Sequence, residues 1–238
     1  MRRFDAGSVS VIVPVRNGAP YLAEALDSVL GQSTPPGRLI VVDDGSTDDT
    51  PHLLEWYAER ALVLRQEPHG VGAALNRGVA AARSPLLAFL DADDVWMPTA
   101  LERRLARMDG PDRPDAVVGR MQQFLSPEMG ATHAARFRFD PNPVRVSMFG
   151  TMLIRRAVFF RVGLLSTEFV TGSNIDWVSR ARAAGVRVAE VPDVVMRRRI
   201  HGSNLGITAR HRKQGDLLRI VRAHRHRHHP AAEPEADT

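Results

Sequence analysis

Three carboxylates follow directly on an apolar run near the middle of the chain. Residues 86–90 carry no polar side chain, and Asp91, Asp93 and Asp94 come immediately after them. Such a run is typical of a parallel strand buried on both faces, and in open α/β sheets ligands bind just beyond the carboxyl ends of such strands. Because neighbouring carboxylates repel one another, we expect a divalent cation that prefers oxygen ligands among them.

The spacing of these acids divides them between two tasks. In an extended segment, side chains two positions apart point the same way, so Asp91 and Asp93 are predicted to face the same side. One of them can then hold a ribose while the other holds a metal that bridges two phosphates. The alternative is an acidic cluster that only caps the helix opened by Pro98.

A second apolar run, residues 39–42, also ends in acids. Asp43 and Asp44 follow it, and Gly45 then permits a close approach of the backbone. The carboxylate of Asp44 can accept hydrogen bonds from a base N–H or from ribose hydroxyls. The alternative is that one of the two acids merely caps the next helix.

The first predicted strand, residues 9–15, ends in a third candidate loop. Arg16, Asn17 and Gly18 turn the chain from this strand towards a helix. A loop at the end of a central strand can hold a planar ring. The alternative is an ordinary turn between a strand and a helix.

The elements that carry these loops alternate along the first half of the chain. Apolar runs at strand spacing are followed by segments with helical apolar spacing, which predicts an α/β fold with a mostly parallel central sheet and helices on both faces. The predicted strands cover 9–15, 39–42, 62–64 and 86–90, and the predicted helices cover 19–30, 46–60, 72–83 and 98–108.

The second half of the chain is less regular. Residues 126–148 contain three prolines and are predicted to form a long loop. The other predicted elements are strands at 116–119, 150–154, 186–191 and 194–199 and a helix at 176–184.

Charge and composition argue against several classes of protein. The net charge is +5, but residues 210–229 hold seven Arg or Lys and a single acid, so residues 1–209 carry only +2. A nucleic-acid-binding protein usually carries a basic face through its fold, so we expect no nucleic-acid partner. The chain has no cysteine, which suits a cytoplasmic protein, and no apolar segment of membrane-spanning length.

Five segments together resemble the inverting glycosyltransferases of family 2, which have a GT-A fold. They span most of residues 9–105, and a weaker match reaches about residue 205. The segments are Val-Ile-Val-Pro-Val-Arg-Asn-Gly (11–18), Leu-Asp-Ser-Val-Leu-Gly-Gln-Ser (26–33), Val-Val-Asp-Asp-Gly-Ser-Thr-Asp (41–48), Leu-Asn-Arg-Gly (75–78) and Asp-Ala-Asp-Asp-Val-Trp-Met-Pro (91–98).

The resemblance implies a nucleotide-sugar donor, usually a UDP-sugar, and Mn²⁺ or Mg²⁺ as cofactor. It also implies a single GT-A-type domain over 1–209, with a Rossmann-like sheet, a donor half at about 8–110 and a smaller acceptor half at about 111–209. A basic helix over 210–229 and a disordered tail over 230–238 are expected to follow. The donor-binding residues that it implies are Pro14, Arg16, Asp43, Asp44, Asn76 and Asp91, with Asp93 on the metal.

The last predicted strand ends in a segment that resembles the closing segment of the family. This segment, residues 197–204, contains three arginines, His201 and Asn204. In the family a histidine there can complete the metal site, which implies His201 as a second metal ligand, and a basic residue meets the diphosphate. Imidazole suits Mn²⁺ better than Mg²⁺. The alternative is a solvated basic strand edge, and the roles of the arginines stay open.

The general base that the family uses is an Asp at the start of a helix in the second half. At that position this sequence carries Asn174, whose amide cannot accept a proton as a carboxylate does. Asp176 is the predicted replacement, because in an extended segment it faces the same side as Asn174. If the helix has already begun, the two side chains diverge by roughly half a turn, and Asp176 is then only a first-turn acid.

We therefore predict a metal-dependent inverting glycosyltransferase that moves a sugar from a nucleotide diphosphate to an unidentified hydroxyl acceptor. The first alternative is a relative that binds a nucleotide sugar without transferring it, because of Asn174. A nucleotidyltransferase is the second, but residues 14–18 make a poor Gly-rich phosphate loop. The segment 210–229 could contact an anionic membrane surface or fold its apolar stripe onto the body. The expected location is cytoplasmic, with membrane-peripheral contact as an option.

Overall fold

The computed structural model describes residues 4–129, 139–204 and 215–222, and within them one nine-stranded sheet forms the centre of the molecule. The α/β architecture expected from the sequence is confirmed. The strands are Val9–Val15 (β1), Arg38–Asp43 (β2), Leu62–Arg65 (β3), Leu86–Phe89 (β4), Val95–Trp96 (β5), Ala116–Leu125 (β6), Val144–Arg145 (β7), Met152–Arg155 (β8) and Val188–Ile200 (β9).

The strand order is β3-β2-β1-β4-β8-β6-β9-β5, with β7 paired to β6. Along this order, β8 and β5 run antiparallel to their neighbours and the other strands run in one direction. The carboxyl ends of β1, β2, β4, β6 and β9 therefore lie at the same edge of the sheet. Each candidate loop in the first half of the chain follows one of these strand ends.

The chain reverses its direction of travel across the sheet between β1 and β4. It goes from β1 outwards to β2 and β3, and then returns to form β4 on the other side of β1. This is a topological switch point, where an open α/β sheet leaves a crevice at its carboxyl edge. The last pair between β1 and β4 joins Ile12 to Phe89. Pro14 lies on β1 two residues beyond Ile12, where β4 has already ended, so the N–H that proline lacks is not needed for pairing with β4.

Helices cover both faces of the sheet. They are Ala19–Leu30 (α1), Thr50–Glu55 (α2), Val71–Ala81 (α3), Ala100–Met108 (α4), Arg156–Val162 (α5) and Ser173–Ala183 (α6). α1, α2 and α4 bury apolar side chains on one face, and α3, α5 and α6 do so on the other. The second face carries an aromatic cluster in which Phe89, Phe149, Phe159 and Trp177 pack against one another.

Several elements differ from the sequence-based expectation. The helix predicted over 46–60 is reduced to α2, because Asp43, Asn17 and Asp48 bind the backbone N–H groups of residues 46, 47 and 50 and hold 44–49 as a loop. The two strands predicted over 186–199 form a single β9, whose register with β6 shifts on both sides of Arg120. α5 and the short β5 were not predicted.

Residues 215–222 form a helix that packs against the segment before α6. Asp216 accepts a hydrogen bond from the Thr171 N–H at 3.0 Å, and Ile220 is buried. The expectation that an apolar stripe folds onto the body is therefore met in part, although three apolar side chains of this helix stay exposed. The rest of 210–229, the tail 230–238 and residues 130–138 of the predicted loop lie outside the described residues. Among the helices of the described residues, none has the length and apolarity to cross a membrane.

The contact between α3 and β1 depends on a glycine. A Cβ placed on Gly78 would lie 2.4 Å from Cγ2 of Ile12, a fully buried side chain of β1. Gly78 therefore lets α3 approach the central strand closely, and this contact sets how close to the sheet the loop before α3 lies.

We expect Gly78→Val to destabilise the protein by about 2 kcal/mol, because overpacking forces β1 and α3 apart. Ala80→Val, on the exposed side of the same helix, should change stability by less than about 0.5 kcal/mol. Urea unfolding of both variants measures the difference. Equal destabilisation by the two substitutions would contradict the close α3–β1 contact.

Candidate active site

The acids after β4 lie at the switch point and form a compact cluster. One carboxylate oxygen from each of Asp91, Asp93 and Asp94 lies within 4.8 Å of the others. The three differ in exposure, since Asp91 is exposed, Asp93 is partly exposed and Asp94 is only 2% exposed. Asp91 and Asp93 are therefore the members open to a ligand, while Asp94 is turned inwards.

The ionisation of the three acids reflects their crowding. Desolvation by the walls of the crevice, followed by the charge of Asp93, raises the pKa of Asp91 to about 6. Burial, followed by the charges of Asp93 and Asp91, raises the pKa of Asp94 well above its usual value. Burial would also raise the pKa of Asp93, but hydrogen bonding and positive charge from His201, together with Asn204, outweigh it and lower that pKa. The cluster thus holds negative charge at an energetic cost, as expected of a cation site.

His201 reaches this cluster from the end of β9. Its Nε2 lies 3.0 Å from Oδ2 of Asp93, and Asn204 Nδ2 donates to the same oxygen at 2.9 Å. Asn204 also accepts the N–H of His201 at 2.8 Å, which fixes the turn that presents the imidazole. Asp93 and His201, both predicted metal residues, are thus in contact.

The chemistry of this group of side chains fits a divalent cation. Carboxylate oxygens suit Mg²⁺ or Mn²⁺, and an imidazole nitrogen favours Mn²⁺. Asp91 and Asp93 would hold the ion, and Nε2 of His201 is close enough to Asp93 to join them. The positive charge of Arg198 on β9 partly offsets the rise in the pKa of Asp91 and of Asp94. An anionic ligand in the crevice would therefore meet positive charge.

Asp44 is buried at the carboxyl end of β2 and holds the loop before α3. Its Oδ1 accepts hydrogen bonds from Gln66 Nε2 at 2.7 Å and from the His69 N–H at 2.8 Å, and its Oδ2 accepts the Gly70 N–H at 2.8 Å. Asp44 thus shapes one wall of the crevice. Arg16, at the end of β1, is exposed on the same edge.

Asp43 and Asn76 have structural tasks. Asp43 accepts the Ser46 N–H through Oδ1, while its fully buried Oδ2 lies 3.3 Å from Arg65 Nε without the alignment of a hydrogen bond. Asn76 donates to the carbonyl of Leu165 and accepts its N–H, both at 2.9 Å. These pairs join neighbouring segments, and the donor-binding roles expected of Asp43 and Asn76 stay predictions.

Asp176 lies in the first turn of α6, which begins at Ser173. Because the segment is helical, Asn174 and Asp176 point in different directions, and the extended arrangement that would have aligned them is absent here. Asp176 is 4% exposed, and Arg180 Nε donates to its Oδ2 at 2.9 Å. Arg180 also donates to the carbonyls of Val162 and Leu164, so this ion pair anchors α6 to the segment after α5.

Two further groups at this edge were not predicted from the sequence. The Tyr21 ring packs on His201 with a centroid separation of 4.4 Å, and its hydroxyl donates to Glu128. Hydrogen bonds from Ser126 and then from Tyr21 lower the pKa of Glu128 to about 2. The sequence signal was weak, since Glu128 follows a strand that extends well beyond its predicted end and Tyr21 belongs to the apolar pattern of α1.

Comparison with known proteins places this site in a family. A profile of Glycosyl transferase family 2 matches residues 10–163. An uncharacterised glycosyltransferase of Rickettsia prowazekii is 28% identical over 213 residues, covering 84% of this chain and 66% of its own length. Glycosyltransferase AglE of Haloferax volcanii is 29% identical over 201 residues, covering 79% of this chain and 65% of its own length. The chain thus spans somewhat less than two thirds of these relatives.

Solved structures share the fold at low sequence identity. TarS of S. aureus, residues 1–349 in complex with UDP, has a TM-score of 0.70 and 20% identity over 96% of this chain and 67% of that chain. The mannosyltransferase PcManGT of Pyrobaculum calidifontis, in complex with GDP-Man and Mn²⁺, has a TM-score of 0.67 and 23% identity over 97% of this chain and 66% of that chain. The GT-A fold expected from the resemblance is confirmed. Because the family profile matches well over half of the sequence, the chain belongs to glycosyl transferase family 2.

Proposed function

We propose that the protein is a metal-dependent inverting glycosyltransferase that uses a nucleotide diphosphate sugar, a UDP-sugar in our assignment, and a hydroxyl acceptor. The observation that carries the proposal is the contact between Asp93 and His201 at the switch point, beside the open carboxylate of Asp91. The carboxylates and the imidazole in this crevice suit a cation, and the positive charge of Arg198 suits the diphosphate that accompanies it. Family membership supports the same reaction.

The donor is assigned to the crevice between β1 and β4. In this proposal Pro14, Arg16 and Asp44 contact the base or ribose, Asp91 holds the ribose, and Asp93 and His201 hold Mn²⁺ or Mg²⁺. TarS complexes with UDP and UDP-GlcNAc, and the PcManGT complex with GDP-Man and Mn²⁺, support the donor class. Residues 8–110 then form the donor half and 111–209 the acceptor half of one domain.

The chemical step breaks the bond between the anomeric carbon and the diphosphate. The acceptor hydroxyl attacks that carbon from the face opposite the leaving group, so the configuration inverts, and its proton passes to a base. A divalent cation, when bound, neutralises the negative charge that grows on the diphosphate. Asp91 and Asp93 hold the donor so that the anomeric carbon faces the acceptor half.

Asp176 is the proposed base, and its ion pair determines how it can act. The Arg180 pair holds the carboxylate in one orientation, and the carboxylate must turn from Arg180 to accept a proton from an acceptor. The same pairing, together with Asn174 at the usual base position, favours the second candidate function. In that case the protein binds a nucleotide sugar and does not transfer it.

Binding of Mn²⁺ tests the metal site. We expect Mn²⁺ at about 100 times its Kd to stabilise the wild-type protein by about 2.7 kcal/mol, because the ion binds only the folded state. Asp93→Asn should abolish the shift in melting temperature. Asp193→Asn, which alters a partly exposed carboxylate paired with Arg103, should keep it. A full shift in Asp93→Asn would remove Asp93 from the metal site.

Transfer from a panel of nucleotide sugars to simple hydroxyl acceptors tests the reaction and the base. We expect Asp176→Asn to lower kcat by about 10²-fold or more while leaving the Kd for UDP with Mn²⁺ unchanged, since a base acts on the acceptor. Asp115→Asn is the matched control, because Asp115 also pairs with arginines but lies before β6, at the opposite edge. Donor binding by the wild type without transfer or hydrolysis would favour the binding-only function.

The exposed face of the 215–222 helix supports a further proposal, contact with an anionic lipid surface. Leu217, Leu218 and Val221 are exposed, Arg219 and Arg222 lie among them, and the flanking sequence is basic. Apolar and cationic side chains on one helix suit the interface of an anionic bilayer. We accordingly propose a cytoplasmic protein with peripheral membrane contact.

Vesicle co-sedimentation tests this surface. We expect the wild type to sediment with vesicles that contain phosphatidylserine and to stay in solution with phosphatidylcholine alone, because each basic side chain near the surface adds about 1 kcal/mol. Leu218→Asp should abolish the sedimentation, whereas Trp56→Asp, at an exposed apolar side chain near α2, should not. Equal sedimentation of both variants would reject the surface.

A further inference from the structure

Arg199, near the end of β9, is a buried arginine that connects four parts of the molecule. Its side chain is 4% exposed, although arginine is rarely buried without partners. A buried guanidinium is stable only when its donors are satisfied, and loss of one partner is costly. The partners of Arg199 therefore show which segments it holds together.

Two of its contacts reach the acidic turn after β4. The Arg199 N–H donates to Oδ1 of Asp94 at 2.9 Å, and its Nε donates to the backbone carbonyl of Asp93 at 3.1 Å. Its own carbonyl accepts Asn204 Nδ2, which also donates to the Asp93 carboxylate. The Arg199 side chain thus binds the backbone of the turn directly. The main-chain N–H of Arg199 binds the Asp94 carboxylate, and its carbonyl is linked to the Asp93 carboxylate through Asn204.

The other contacts fix the guanidinium itself. Its Cζ lies over two aromatic rings, 4.9 Å from the centroid of Tyr21 on α1 and 4.6 Å from that of Phe124 on β6. Nη2 forms an ion pair with Glu24 on α1. Two ring contacts and a carboxylate hold the planar group in one orientation, and the same Tyr21 ring packs on His201.

We propose that Arg199 is a positioning residue for the metal site: it holds the turn 91–94 and the segment 199–204 at a fixed separation, so that Asp93 and His201 meet. The part of this inference that concerns the metal rests on the proposed function. Without the guanidinium, the turn of mutually repelling acids would lose its tie to α1 and β6. Its geometry would then relax even though the sheet remained intact.

Hydrogen exchange of the metal-free protein tests the positioning role. In Arg199→Met, which keeps the aliphatic stem, we expect exchange of the 91–94 amides to accelerate about tenfold or more while β1 exchanges as in the wild type. Arg197→Met is the matched control, because Arg197 packs on the same Phe124 ring and has no hydrogen bond to this turn among the described residues. Unchanged exchange at 91–94 in Arg199→Met would overturn the inference.

Mn²⁺ affinity, measured from the paramagnetic resonance signal of the free ion, tests the consequence for the site. We expect Arg199→Met to weaken Mn²⁺ binding at least tenfold at a temperature where it is folded, and Arg197→Met to bind like the wild type. Glu24→Gln, at an exposed position that does not threaten folding, should weaken it severalfold. Wild-type affinity in both Arg199→Met and Glu24→Gln would reject the role. If the wild type itself binds no Mn²⁺, the metal clause of the proposed function fails, and hydrogen exchange still decides the positioning role.

Discussion

Mutual repulsion of the carboxylates after β4 is the constraint on which the candidate site depends. Asp91, Asp93 and Asp94 are held within 4.8 Å of one another at the edge of a buried strand, a costly arrangement without compensation. The compensation comes from β9, which supplies the imidazole of His201 and the backbone N–H of Arg199. The proposed cation would add positive charge among the same acids and so relieve the repulsion further.

The sheet topology explains why this balance is reached at one edge. β1, β2, β4, β6 and β9 all end there, and the order of the strands opens a crevice between β1 and β4. Pro14 adds to the opening, since it has no N–H to offer beyond the last β1–β4 pair. Asp44 then shapes the wall of the crevice by binding the loop before α3.

The second half of the chain is held together by different contacts. Its helices are tied to neighbouring segments by ion pairs and backbone contacts, of which the Asp176–Arg180 pair and the Asp216–Thr171 bond are examples. As the partner of Arg180, Asp176 must keep its carboxylate in place. As a base, the same carboxylate must turn away to receive a proton. This conflict makes Asp176 the residue on which transfer and simple binding diverge.

The sequence by itself determined the edge of the sheet at which the candidate site lies. Apolar runs that end in acids, such as residues 86–94, specify buried parallel strands locally, and parallel strands deliver their ends to a common edge. It could not determine the partners of those acids, because Asp94 and Arg199 lie 105 positions apart and meet only when β9 packs beside β6 and β5. Tertiary packing likewise decided that Asn76 binds the backbone of Leu165, and that Arg180, the partner of Asp176, also binds the carbonyls of Val162 and Leu164. Spacing along the chain fixes which way a side chain leaves its own strand or helix, whereas the group that it meets depends on the packing of distant segments.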